Sequence, residues 1–131
     1  MIVLKNGTIS VCKEIEGSAE AVWDIITDTH LWTTWGPSLV DVDCPDRHIE
    51  YGSMGRVKTL FFWLPFRIIT FRELDFWNWR IGPIEATGHT LIQTGKNSCR
   101  LCFDMPWWAA PYILICWRAL SNIAKIVIQK Q

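Results

Sequence analysis

The chain has 131 residues, half of them apolar, and its 13 basic and 13 acidic side chains cancel to a formal net charge of zero. That length closes one hydrophobic core and not two. The balance offers no surplus of Lys and Arg for nucleic-acid phosphates or an anionic membrane surface, so the totals indicate neither partner. Nine tryptophans are the compositional outlier. They either fill the core or line a hollow wider than side chains alone would close.

Residues 8–15 alternate, with Ile9, Val11, Lys13 and Ile15 against Ser10, Cys12 and Glu14, which predicts a first strand with one buried face. Lys13 interrupts the apolar side; its stem can reach past a sheet edge to water, the alternative being an ammonium that faces a cavity. Ser18 is a candidate N-cap for a helix over residues 19–27, with Glu20 at its positive end and Val22, Trp23, Ile25 and Ile26 at helical spacing. Asp28 or Thr29 can cap a second, very short helix carrying His30, Leu31, Trp32 and Trp35, stopped by Gly36-Pro37. His30 reads as an exposed polar residue.

Six further strands are expected at residues 38–43, 56–63, 66–74, 76–81, 85–94 and 98–105. Turn chemistry separates them at Tyr51-Gly-Ser-Met-Gly55, Leu64-Pro65, Gly82-Pro83 and Gly95-Lys96-Asn97. A long helix follows over about residues 111–130, with Pro111 in its first turn. Arg118, Ser121, Asn122, Lys125 and Gln129 make its polar stripe, opposite Ile113, Cys116, Leu120, Ile123 and Val127. The uncharged run 105–117 is shorter than the ~20 residues a bilayer span needs, so a core helix and no integral membrane association are expected. The apolar stripe needs one continuous concave partner. The whole chain, residues 1–131, is therefore read as a single α+β domain, a curved antiparallel sheet of about seven strands wrapped around the last helix.

The order of elements and several local patterns resemble the START-like, or SRPBCC, superfamily of helix-grip domains, especially its polyketide cyclase/dehydrase and lipid-transport branch. The resembling stretches are Ile15-Glu-Gly-Ser-Ala-Glu-Ala-Val-Trp23, Asp24-Ile-Ile-Thr-Asp28, Trp32-Thr-Thr-Trp-Gly-Pro37, Gly52-Ser-Met-Gly-Arg-Val57, the strand pair around Trp77 and His89, and the amphipathic final helix. The resemblance implies a hollow between sheet and long helix that accepts a hydrophobic molecule. It implies no reaction, because members range from passive carriers to cyclases and lyases. In such a fold the short second helix lies at one end of the cavity, where Trp32 and Trp35 would serve as wall and lid; simple packing of a helix corner is the alternative.

Strand alternation turns Trp77, Trp79 and Ile81 inward, and likewise Cys99, Leu101, Phe103 and Met105, with His89 in phase with Leu91. The expected ligand-binding residues are Trp32, Trp35 and Val57, the strand residues Trp77, Trp79, His89, Leu91, Leu101 and Phe103, and Ile113 and Trp117 on the final helix. His89 is the candidate for chemistry, as a base or a hydrogen-bond acceptor, against the reading of a satisfied core histidine. Lys13 and Glu85 are the other titratable groups that could face inward. Gly52-Ser-Met-Gly55 lacks the Lys-Ser/Thr of a phosphate loop and is read as a hairpin near the cavity entrance. Arg67 and Arg72 are read as solvent-facing.

Five cysteines show no regular spacing. The N-terminus lacks an apolar signal core and cleavage site, so a cytosolic location with reduced thiols is expected, and Asn6-Gly7-Thr8 is read as a turn rather than a glycosylation acceptor. Cys99 and Cys102, three apart on one strand, point to opposite faces and cannot chelate together; neither metal nor cofactor is expected. The first functional reading is a binding or carrier domain for a lipid, polyketide-like or isoprenoid compound. The second is a cyclase, dehydratase or aromatase in the same cavity. The third is a protein-interaction module built on Trp63, Trp107 and Trp108, and homodimerisation is compatible with the first.

Overall fold

Two apolar periodicities, one of two residues and one of 3.6, set the architecture of this computed structural model, which describes residues 1–130. The strands are β1 (Ile2–Lys5), β2 (Thr8–Glu16), β3 (Asp41–Asp43), β4 (Met54–Lys58), β5 (Trp63–Arg72), β6 (Phe76–Ile81), β7 (Ile84–Gly95) and β8 (Ser98–Pro106). They form one antiparallel sheet in the order β1-β2-β8-β7-β6-β5-β4-β3. Helices α1 (Ala19–Thr27) and α2 (Trp32–Trp35) fill the connection after β2, and α3 (Ile113–Lys130) closes the chain after a 3-10 turn at Trp107–Tyr112.

Helix α1 starts where Ser18 accepts a hydrogen bond from the Ala21 amide at 3.1 Å, and it buries Val22, Trp23, Ile25 and Ile26. Asp28 then caps the next turn by accepting from the His30 amide at 2.9 Å. Burial alone would raise the Asp28 pKa; the Arg47 guanidinium at 3.2 Å and the His30 amide outweigh it and hold the carboxyl below its usual range. Helix α3 lies across β2 and against α1 and α2. Its buried residues Cys116, Ala119, Leu120, Ile123 and Val127 join the strands' inward residues in one core. Each fully buried Leu, Ile or Val contributes roughly 1.5–3 kcal/mol of transfer free energy, so the clasp between sheet and helix is the main stabilising contact of α3.

The sheet has one strand more than expected. Asn6 and Gly7, with φ of 50° and 77°, form a two-residue turn between Lys5 and Thr8, the conformation that Asn-Gly favours in a tight hairpin. The Asn-Gly pair therefore marks a hairpin, and β1 precedes it. A second difference concerns Leu64-Pro65, which lies inside β5 rather than at a turn; the chain reverses at residues 59–62, where the Thr59 amide donates to the Phe62 carbonyl at 2.9 Å. Pro65 is tolerated because its carbonyl, and so its missing N–H, faces the Gly82 turn beyond the end of β6, where no ladder donor is needed. The expected strand 38–43 shortens to β3, and α3 starts at Ile113 rather than Pro111.

Cys12 and Cys102 sit directly opposite each other on β2 and β8, with Cα atoms 4.0 Å apart, and are joined in a disulfide. The expectation of five reduced thiols is corrected at this pair, leaving Cys44, Cys99 and Cys116 free. Cys99 and Cys102 do point to opposite faces, Cys99 into the core and Cys102 toward Cys12. The tandem spacing hid a partner 90 residues away that only strand pairing reveals.

Candidate functional site

A cavity of about 510 Å³ lies between the sheet and α3. Five sheet strands supply its floor, through Val57 on β4, Leu64 on β5, Trp79 and Ile81 on β6, Thr87 and His89 on β7, and Phe103 on β8. Its roof is Ile115, Cys116 and Ala119 of α3 with Tyr112 just before it, and Trp35 through Val40 form one end. Leu60 and Phe61, at the β4–β5 turn, border it on the other side. Tyr112 is fixed by a 2.7 Å hydrogen bond between its hydroxyl and that of Ser38.

The site residues expected from sequence divide into two groups. Trp35, Val57, Trp79, His89 and Phe103 line the cavity. Trp32, Trp77, Leu91 and Leu101 are buried in the core but do not line it, and Ile113 packs against the core at the start of α3. Trp117 is exposed and faces away, with the Lys13 ammonium 5.8 Å from its ring centroid. For the strand residues, alternation says which face is inward, but not which inward side chains are packed over and which meet open space. Glu85 is exposed and accepts a hydrogen bond from Asn78, and Lys13 leans on Trp117, so neither supplies a charge to the cavity. The Gly52–Gly55 loop does not border it either; Gly52 and Ser53 pair with Ile68 through backbone hydrogen bonds. Sequence reasoning missed Leu60, Phe61 and Tyr112, although the exposed run Leu60-Phe61-Phe62-Trp63 was a usable signal once the turn was placed correctly.

Behind the cavity stands an aromatic stack. Trp32 lies parallel to Trp77 with centroids 5.7 Å apart, and Trp77 lies parallel to His89 at 3.8 Å. Trp32 is locked by donation from its indole nitrogen to the Ile26 carbonyl at 2.9 Å. The Phe103 ring meets His89 edge-on at 4.7 Å and Trp35 at 5.8 Å. So α2 supplies Trp32 as a wedge that fixes the stack and Trp35 as the cavity wall, which separates the two roles expected jointly for the pair.

His89 is fully buried, and its Nδ1 donates to the Trp77 carbonyl at 3.2 Å. Because a carbonyl can only accept, that bond assigns the neutral tautomer with its lone pair on Nε2. Burial pushes the His89 pKa down to about 3, partly opposed by the Trp77 carbonyl. Nε2 has the Thr87 hydroxyl at 3.5 Å, the outer limit of a hydrogen bond, and that hydroxyl accepts from the Trp79 indole at 3.2 Å. The cavity therefore presents one neutral imidazole acceptor. The Trp35 indole N–H is buried and has no hydrogen-bond partner among the described residues. Cys116, the other thiol at hand, is pushed up to about 12 by burial, and burial also raises Tyr112. Among the described residues no group of His, Cys, Asp and Glu side chains is arranged to hold a metal ion.

No protein-family model and no curated protein matches the sequence. Solved structures do match the fold over nearly the whole chain. A START superfamily protein from Mycobacterium smegmatis aligns with 95% of this chain and 99% of its own at 14% identity, with a TM-score of 0.73. A norcoclaurine synthase from Thalictrum, a point mutant in complex with a transition-state analogue, aligns with 99% of this chain and 98% of its own at 14% identity and TM-score 0.66. A Mesorhizobium loti protein aligns over 95% and 98% at 12% identity and TM-score 0.73. The chain has the helix-grip fold of START-like, or SRPBCC, proteins.

Proposed function

We propose that this protein binds a hydrophobic small molecule, of the size and character of a lipid, polyketide-like or isoprenoid compound, in the cavity under α3. The observation that carries the reading is the lining: Val57, Leu64, Ile81, Phe103, Ile115 and Ala119 with no carboxylate, ammonium or guanidinium among the lining residues. Removing apolar ligand surface from water there is worth roughly 25 cal/mol per Å². A few polar groups give orientation. His89 Nε2 accepts a hydrogen bond from a ligand hydroxyl in place of the long one to the Thr87 hydroxyl. An apolar body with a single oxygen function fits best.

The same lining weighs against acid–base catalysis by a cyclase, dehydratase or aromatase. Its titratable groups are His89, held neutral near pH 7, and Tyr112 and Cys116, both shifted upward. None is poised to gain and lose a proton near neutrality. Native mass spectrometry after purification, followed by organic extraction, tests the binding reading. A retained apolar molecule, or stoichiometric uptake of an acyl-chain fluorophore by the free protein, supports it. A free protein that takes up neither fatty acyl, polyketide-like nor isoprenoid probes contradicts it.

A further inference from the structure

We propose that the mouth of the cavity docks on the surface of an anionic phospholipid bilayer, with the β4–β5 turn as the inserting element. The inference goes beyond ligand binding, and rests on that reading only for what the docking accomplishes. Leu60, Phe61 and Phe62 occupy the turn with 71%, 77% and 67% of their surface exposed, and Trp63 follows at 37%. Four consecutive large apolar residues at the tip of a hairpin are unfavourable in water and contribute nothing to this core. Two of them, Leu60 and Phe61, also border the cavity, so the apolar tip and the opening are one continuous surface. Across the opening that surface runs through exposed Val40 to Tyr112 and Leu114, the last 78% exposed.

Charge distribution identifies the partner. The net charge of zero is an average over segregated segments: residues 51–72 and 105–130, which frame the opening, contain no Asp or Glu. Lys58 flanks the turn, and exposed Arg118 and Lys125 line a groove on α3 beside Pro37 and Leu114. Neither Arg118 nor Lys125 has an ion-pair partner among the described residues. The acids that face this region come from β3: Asp43 neutralises Arg56 at 3.0 Å, and Asp41 lies opposite Lys58 in the strand register. An aromatic and aliphatic tip with basic flanks matches the interface of a bilayer, where rings settle among the headgroups and Lys and Arg meet anionic lipid. A bilayer also holds the apolar molecules the cavity accepts, which a second copy of this chain would not.

The test is flotation of the purified protein with phosphatidylcholine vesicles, with and without phosphatidylserine. The wild type should float with both and prefer the phosphatidylserine vesicles, the preference falling as salt is raised. Phe62→Glu should reduce flotation at least ~10-fold, because an inserting ring is replaced by a charge. Arg118→Glu with Lys125→Glu should remove only the phosphatidylserine preference, at about fivefold per basic residue lost. All three positions are exposed and none lines the cavity, so circular dichroism and acyl-probe uptake in solution should be unchanged in both variants. That uptake assay contains no vesicles and reports on ligand binding separately. A wild type that stays in the aqueous phase with both vesicles, or a Phe62 variant that floats as well as wild type, would overturn the proposal. Concentration-dependent self-association without flotation would assign the patch to a protein partner and overturn it equally.

Discussion

Acid should destabilise this protein through His89. The imidazole titrates near 6.5 in an unfolded chain and about 3 when buried against Trp77. Between those values the unfolded chain binds the proton and the native one does not. Stability is thus fully present above about pH 6.5 and is lost as pH falls toward 3. Integrated from pH 7 to pH 4, the loss is about 3 kcal/mol, at 1.36 kcal/mol per pH unit over the part of the window crossed. The Asp28 carboxyl also favours the native state, but its pKa is held below 3.8, so its contribution disappears only at lower pH. Urea unfolding at pH 7, 6, 5 and 4 measures the wild-type slope, and His89→Gln, which keeps a donor for the Trp77 carbonyl but cannot titrate, supplies the reference. The variant should be less stable at pH 7 and lose about 3 kcal/mol less than wild type on going to pH 4. Parallel slopes for the two proteins would refute the assignment.

Trp32→Ala removes the wedge that stacks on Trp77 and donates to Ile26, and should destabilise the fold by about 3–5 kcal/mol in urea unfolding, the range for deleting a buried aromatic. Trp35→Phe keeps an aromatic cavity wall and deletes an unpartnered buried N–H, so stability in urea unfolding should hold or rise. Under non-reducing denaturation, three of the five cysteines should react with a thiol reagent. Replacing Cys12 and Cys102 together by Ser should cost up to about 4.6 kcal/mol by the loop-closure entropy for a separation of 90 residues, measured by urea unfolding. Gly55→Ala should destabilise, because its new Cβ would lie 2.5 Å from the Asp43 carbonyl and 2.9 Å from the Phe66 ring, and a thermal melt checks it.

Elements whose identity depends on local chemistry were legible from the sequence. Helix α1 falls where its Ser18 cap and apolar spacing put it, β6 matches its expected bounds, and the apolar stripe of α3 faces the sheet. The misplacements come from signals with two meanings. Asn6-Gly7 was weighed as a glycosylation pattern and a turn, but β1 before it is exposed on both faces and carries no alternation to announce a strand. Leu64-Pro65 reads as a turn because proline lacks a donor, and only the geometry at the end of β6 shows that none is needed. The cavity was half legible: inward phase identifies Trp79, His89 and Phe103, whereas Trp77, Leu91 and Leu101 share that phase yet are packed over, Trp77 by Trp32, which alternation along a strand does not encode. A disulfide between residues 90 apart cannot be inferred before the register of β2 and β8 is known.

The central claim is that open apolar space between sheet and α3 receives the ligand, and filling that space tests it most directly. Ala119→Phe places a ring under α3 where the wild type has a methyl group bordering the cavity. Equilibrium titration of wild type and variant with an acyl-chain fluorophore, with circular dichroism confirming that both are folded, gives the comparison. Saturable one-to-one uptake by the wild type and at least tenfold weaker uptake by the folded variant is the predicted result. Equal uptake by the two proteins would mean that the ligand sits elsewhere and would contradict the account.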